Sequence, residues 1–149
     1  MSAGLHLADA AQTDLCLALV AKFHEELGAP YDDAHRRAVI EPLLQGSPLG
    51  AVWLIGPARA PLGYVLVTFE WSIEAAGMVG WVREIYTRPN VRKRGIGTET
   101  LHAVAVALRG GGVKALHVDL QAAENPQNGF WNKVGFRNPA GMYVLTDVL

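Results

Sequence analysis

The run Arg92-Lys93-Arg94-Gly95-Ile96-Gly97-Thr98 constrains this chain more than any other stretch. Pro89 closes the apolar run 79–87 ahead of it, and behind it Leu101, Val104, Ala105 and Leu108 keep the i, i+3, i+4, i+7 spacing of an amphipathic helix. Gly110-Gly111-Gly112 stops that helix, and in 115–120 Leu116, Val118 and Leu120 alternate with His117 and Asp119 as a strand does. Strand, helix and strand in this order predict a parallel crossover unit. Its turn places backbone N–H groups of a helix start beside three cations, a cradle for an anion.

The charge distribution fits a local anion better than a polymer. The chain of 149 residues has a net charge of −1. Residues 1–82 carry nine acids and four bases, residues 83–149 five acids and nine bases, and five of the 13 Lys and Arg fall between Arg83 and Arg94. A near-neutral total argues against a broad nucleic-acid surface. The cluster at the cradle suits a phosphorylated ligand, and the acidic first half suits a cationic second substrate. No apolar run approaches the roughly 20 residues of a membrane span. The start Met-Ser-Ala-Gly-Leu-His lacks a secretory pattern, and the single Cys16 agrees with a reducing compartment, so a cytoplasmic protein is expected. The length fits one domain, 1–149.

Elsewhere, periodicity predicts helices over 14–27, with Cys16, Leu19, Val20, Phe23 and Leu27 on its apolar stripe, and from Asp32 or Asp33 to about Leu44, with Pro42 inside. Cys16 reads as a small core residue and His24, Glu25 and Glu26 as a solvated polar face. The runs 51–55 and 62–73 read as strands, and 62–87 as a long antiparallel hairpin turning at Ala75-Ala76-Gly77. In 62–73 alternation gives Val65, Val67, Phe69 and Trp71 one face and Tyr64, Leu66, Thr68 and Glu70 the other. In the next strand it gives Val82, Glu84 and Tyr86 one face and Arg83, Ile85 and Thr87 the other. Asn125-Pro126 starts a short helix over 127–134 that Gly135 closes, and Phe136 and 142–148 supply the last strands.

Three phosphate sites compete for the cradle. A dinucleotide fingerprint needs a third glycine where Thr100 stands, and a nucleoside-triphosphate loop needs Gly-Lys-Ser/Thr where Gly97 is followed by Thr98-Glu99. The order strand, Arg92-x-x-Gly95-x-Gly97, amphipathic helix, strand, Asn125 and Lys133-Val134-Gly135-Phe136 instead resembles the GNAT family of N-acetyltransferases. The match is close over 62–137 and extends to the first sixty residues in layout alone.

The resemblance implies an α/β fold of the α+β kind, a mixed, mostly antiparallel central sheet of six to seven strands with helices on both faces. It implies acetyl-CoA as co-substrate and no metal. Backbone groups of Ile85, Tyr86 and Thr87 would pair with the pantetheine arm, and Arg92, Lys93, Arg94, Gly95, Ile96, Gly97 and Thr98 would hold the pyrophosphate. Asn125 and Trp131 would complete the cofactor contacts. Glu84 would act as general base on the acceptor amine, with His117 as second choice. A carboxylate paired with Arg83, Arg92 or another cation is the alternative reading of Glu84. Trp131 occupies the position where many relatives have a tyrosine that protonates the thiolate, and an indole cannot do so. Tyr86, Tyr143 or water is left for that task, or the thiolate leaves unprotonated.

The acceptor expected from the acidic front half is a small cationic amine, and Gly95 to Leu101 resembles the diamine acetyltransferase branch. A peptide or protein acetyltransferase and a non-catalytic acyl-CoA-binding module are the alternatives. No nucleic-acid or membrane partner is expected, and the hairpin and C-terminal strands are candidate homodimer edges.

Overall fold

A computed structural model describes residues 4–120, 128–138 and 145–149. Residues 4–119 belong to one compact unit and those from 120 onward to a second. The first unit is built on a five-stranded sheet in the order β1 (Leu5–Leu7), β2 (Gly50–Ile55), β3 (Gly63–Ser72), β4 (Gly77–Thr87) and β5 (Leu116–Val118). Neighbours from β1 to β4 are antiparallel, and β5 is parallel to β4. Helices α1 (Thr13–Leu27) and α2 (Asp33–Leu44) connect β1 to β2, and α3 (Ile96–Gly110) makes the expected crossover from β4 to β5.

Local chemistry sets the helix ends. Gly28, at φ 67°, takes the left-handed conformation that closes α1, and the N–H groups of Gly28 and Ala29 bond to the Glu25 and His24 carbonyls. The Asp32 carboxylate caps α2 by accepting from the His35 N–H at 2.8 Å. Pro42 lies within α2, which still reaches Leu44.

Cys16, Leu19 and Val20 of α1 and Ile40 and Leu44 of α2 pack with Val52, Leu54, Tyr64, Leu66 and Tyr86, all from one face of the sheet. Trp53, Ile55, Val65, Val67 and Val82 on the opposite face are also buried, and α3, which buries Leu101 and Val104, touches β4. Two buried faces make this sheet the hydrophobic centre of the unit, each fully buried aliphatic side chain contributing about 1.5–3 kcal/mol.

Register corrects one reading of alternation. Leu66 faces Glu84, but the next residue, Val67, faces Val82, so Arg83 is an extra residue in β4. This bulge turns Val82 to the face of Val67, opposite to Glu84, because one inserted residue inverts every side chain beyond it. Arg83 stays on the Glu84 side, where its Nε donates to Thr68 Oγ1 at 3.0 Å and its guanidinium lies 5.0 Å from the Trp81 ring centre. Trp71, expected on the apolar face, is instead 74% exposed at the hairpin tip.

Of the expected six to seven strands, five are present among the described residues. Residues 136–138 and 145–149 form no strand, and 139–144 lie outside the described residues. Leu145 and Val148, which alternation placed in a strand, are exposed. In the second unit α4 (Asn128–Lys133) is followed by Gly135 at φ 107°, and the Phe136 N–H bonds back to the Trp131 carbonyl. The Trp131 ring meets Phe130 and Phe136 edge-on, at centroid distances of 5.2 and 5.1 Å. No described helix is long and apolar enough to cross a membrane.

Candidate active site

The site is assembled where α1 crosses the face of β3 and β4 that carries Glu84. On α1, Cys16, Val20 and His24 recur every four residues, so the apolar stripe ends in an imidazole. His24 is 6% exposed, which corrects its expected place on a solvated face. Its Nε2 lies 2.7 Å from Glu84 Oε2, and the Tyr64 hydroxyl donates to Glu84 Oε1 at 2.8 Å. Tyr64 is fully buried; burial, and then the Glu84 charge, push its ionisation well above the usual value of 10, so it stays a donor. The Glu84 side chain keeps 20% exposure and is open to a reactant.

The partner of Glu84 is therefore a histidine from another element rather than Arg83 or Arg92. Arg83 is held by Thr68 and Trp81. Arg92 donates from Nη2 to Glu26 at 2.8 Å and from Nε to the Thr87 carbonyl at 2.9 Å. These bonds lay its guanidinium 5.5 Å from the Tyr86 ring centre. Tyr86 is 5% exposed, packs against Phe23 and Tyr64, and borders a cleft of about 480 Å³ lined also by Lys22, Glu25, Glu26, Arg88, Pro89 and Asn90.

The cradle has the backbone of an anion site. Lys93 and Gly95 are both left-handed, at φ 64° and 77°, and Gly95 starts α3 with no side chain capping it. The Glu99 N–H bonds to the Gly95 carbonyl, so the N–H groups of Ile96, Gly97 and Thr98 precede the first bond of the helix ladder. No atom lies within 4 Å of a Cβ built on Gly95, which leaves the space a phosphate would take. Lys93 and Arg94 are exposed beside it. Strand β5 pairs with β4 at Gly80 to Val82 and no further, so Ile85, Tyr86 and Thr87 have β3 on one side and no described strand on the other. A free strand edge leading to an uncapped helix start fits an extended thiol arm carrying a pyrophosphate.

Other expectations resolve differently. Cys16 has no exposed surface, and burial pushes its thiol up to about 11, as suits a core residue. His117 lies on β5 with its ring 4.7 Å from Trp81. Trp131 belongs to the second unit, and Asn125 and Tyr143 lie outside the described residues. Among the described residues no group of His, Cys, Asp and Glu could hold a metal ion. Sequence reasoning missed His24 and Tyr64. The available signal was the continuation of the Cys16–Val20 ladder to His24, and the cross-strand pairing of Tyr64 with Tyr86.

Comparison with known proteins gives this geometry a family. Comparison with the curated proteins returned no match. Among solved structures, an integron cassette protein from the mobile metagenome of Cole Harbour Salt Marsh is 27% identical, with a TM-score of 0.84, covering 97% of this chain and 90% of that one. A predicted acetyltransferase from Clostridium acetobutylicum, solved with acetyl-CoA, is 15% identical, with a TM-score of 0.76 and coverage of 96% and 95%. The aminoglycoside antibiotic 6'-N-acetyltransferase of Acinetobacter haemolyticus is 14% identical, with a TM-score of 0.77 and coverage of 98% and 99%. The latter two likenesses show the fold. The family model described as the acetyltransferase (GNAT) family matches residues 16–136, which hold most of α1, the Glu84 strand, the cradle and the Gly135-Phe136 turn, and the chain belongs to that family.

Proposed function

We propose that this acetyltransferase moves an acetyl group from acetyl-CoA to a small cationic primary amine by direct attack in a ternary complex, with Glu84 as general base. The observation that carries the reading is the Glu84 carboxylate, oriented by Tyr64 and His24 yet open to solvent, on the strand whose free edge leads to the cradle. Acetyl-CoA supplies an acyl group activated as a thioester. An ammonium must lose a proton before its nitrogen can attack, and Glu84 accepts that proton directly or through one water. Ile85, Tyr86 and Thr87 align the arm along β4, while Arg92, Lys93, Arg94, Gly95, Ile96, Gly97 and Thr98 hold the pyrophosphate through backbone N–H groups and charge. Tyr86, at the floor of the cleft, is the candidate proton donor to the departing thiolate.

The cleft supports a cationic acceptor. Of its two carboxylates that of Glu26 is bonded to Arg92, whereas that of Glu25 has no hydrogen bond or ion pair among the described residues. Thiol release from acetyl-CoA with a panel of diamines, polyamines, aminoglycosides and peptides tests the reading. Turnover is expected with the small cationic amines, and turnover with peptides alone overturns it.

The family match runs across both compact units, which supports one catalytic domain over 1–149; the single Cys16, in keeping with a reducing compartment, supports a cytoplasmic location. Trp71 and Ile73, 74% and 88% exposed at the β3–β4 hairpin tip, support a homodimer through that edge. Sedimentation of Trp71→Ser/Ile73→Ser should then show a monomer where the unaltered chain is dimeric.

A further inference from the structure

His24 and Tyr64 are buried side chains at the site to which the family resemblance assigns no part, and His24 is the one that comes from a helix. It comes from the last turn of α1, 60 residues before Glu84, and its two ring nitrogens are in unlike surroundings. Nε2 is 2.7 Å from Glu84 Oε2, whereas Nδ1 is buried with no hydrogen-bond partner among the described residues. A histidine kept for stability alone would satisfy both nitrogens, since a buried unpaired polar atom is costly. Here one is left unpaired while the other is directed onto a carboxylate that also receives the Tyr64 hydroxyl. An imidazole facing an ionised carboxylate must present an N–H, so the neutral ring carries its proton on Nε2.

We propose that His24 is a positioning residue for the acetyl transfer: it donates from Nε2 to Glu84 Oε2 and, with Tyr64 on Oε1, fixes the carboxylate in the orientation from which it receives the amine proton. Each carboxylate oxygen accepts in two directions. One direction on each is used by Tyr64 and His24, and the other remains for the ammonium or its bridging water. Tyr64 is held on β3 and Glu84 on β4, paired strands that cannot rotate the carboxylate between them; the third point comes from α1. Burial keeps Tyr64 protonated, so its donor persists across the working pH range. The ring of Tyr31, 5.1 Å from that of His24 and edge-on to it, closes over the imidazole and limits its rotation.

This inference rests on Glu84 being the base, and the experiment separates the two. Glutamine places its amide nitrogen where the Nε2 of histidine stands, and asparagine reaches only the Nδ1 position. Rates are measured for H24Q, H24N, E84Q and H24N/E84Q with acetyl-CoA and the most active amine among 1,4-diaminobutane, spermidine and kanamycin. In H24N kcat is expected to fall on the order of 10²-fold, the scale of a misplaced catalytic group, with acetyl-CoA affinity within about twofold of the unaltered chain. H24Q should recover most of that loss, and H24N/E84Q should be no slower than E84Q. Equal losses in H24Q and H24N, or loss of acetyl-CoA affinity in place of kcat, overturn the role of His24. Full activity in E84Q overturns the reading of Glu84 as base. Nitrogen-15 spectra of the histidine rings, with His24 assigned from H24Q, read the tautomer whatever the acceptor. A proton on Nε2 is expected, and a proton on Nδ1 alone overturns the inference.

Discussion

His24 Nε2 and Glu84 Oε2 stand 2.7 Å apart, although one closes a helix and the other lies in the middle of a strand 60 residues later. The contact joins the helical layer to the sheet, two residues along β4 from Tyr86, which borders the cleft. It also gives the carboxylate an imidazole partner in place of the arginines near it in sequence.

Glu84→Gln keeps the shape of the side chain and can still accept from Tyr64, so the fold should persist. If the carboxylate is the base, kcat falls by roughly 10²- to 10⁴-fold, as acid–base groups typically contribute. Steady-state rates at saturating acetyl-CoA, paired with calorimetric binding of acetyl-CoA that stays unchanged, check this.

Gly95→Ala meets no neighbouring atom, but φ 77° is a conformation that a Cβ disfavours by about 1–2 kcal/mol. The start of α3 should shift toward ordinary backbone angles and lose its alignment with the pyrophosphate. Acetyl-CoA affinity is expected to weaken by about five- to thirtyfold, with kcat at saturation much less affected. Isothermal titration separates the two effects.

Gly63→Ala acts on the sheet. A Cβ there would stand 1.9 Å from the Tyr86 carbonyl oxygen, so β3 and β4 would have to separate beside the site. Overpacking of this kind costs about 1–3 kcal/mol. Thermal unfolding followed by circular dichroism should show the lower midpoint, and activity should fall with it because Tyr86 and Glu84 share the displaced strand.

Cys16 predicts an alkaline loss of stability. Its thiol is pushed from 9.0 to about 11 in the folded chain, so between these values the folded form holds a proton that the unfolded form has released. The contribution is fully present below about pH 9 and is lost as pH rises toward 11. Tyr64, whose ionisation is also raised, acts in the same direction. Unfolding midpoints measured from pH 8 upward should fall less steeply in Cys16→Ala than in the unaltered chain.

Much of the architecture was legible in short-range pattern. Apolar spacing located α1, α2 and α3, and β-branched runs located β2 to β4, because each element buries a face whose period is written locally. The turn before α3 was legible for a related reason: Gly95 must adopt a left-handed conformation, and a residue type that tolerates it can be recognised without knowing the fold. The strand count was less legible. Alternation at 142–148 marks residues able to pair but names no partner for them.

By itself the sequence determined the elements, the crossover and the glycine turn that opens α3, since these depend on residues near one another in the chain. Tertiary structure alone decided that Arg83 is an extra residue in β4, that Val82 leaves the Glu84 face, and that Glu84 is bound by His24 and Tyr64 rather than by a neighbouring arginine. Register and burial are properties of packed partners: a bulge exists relative to the facing strand, and a histidine at the end of an apolar stripe becomes a buried donor when a sheet carrying a carboxylate closes over it.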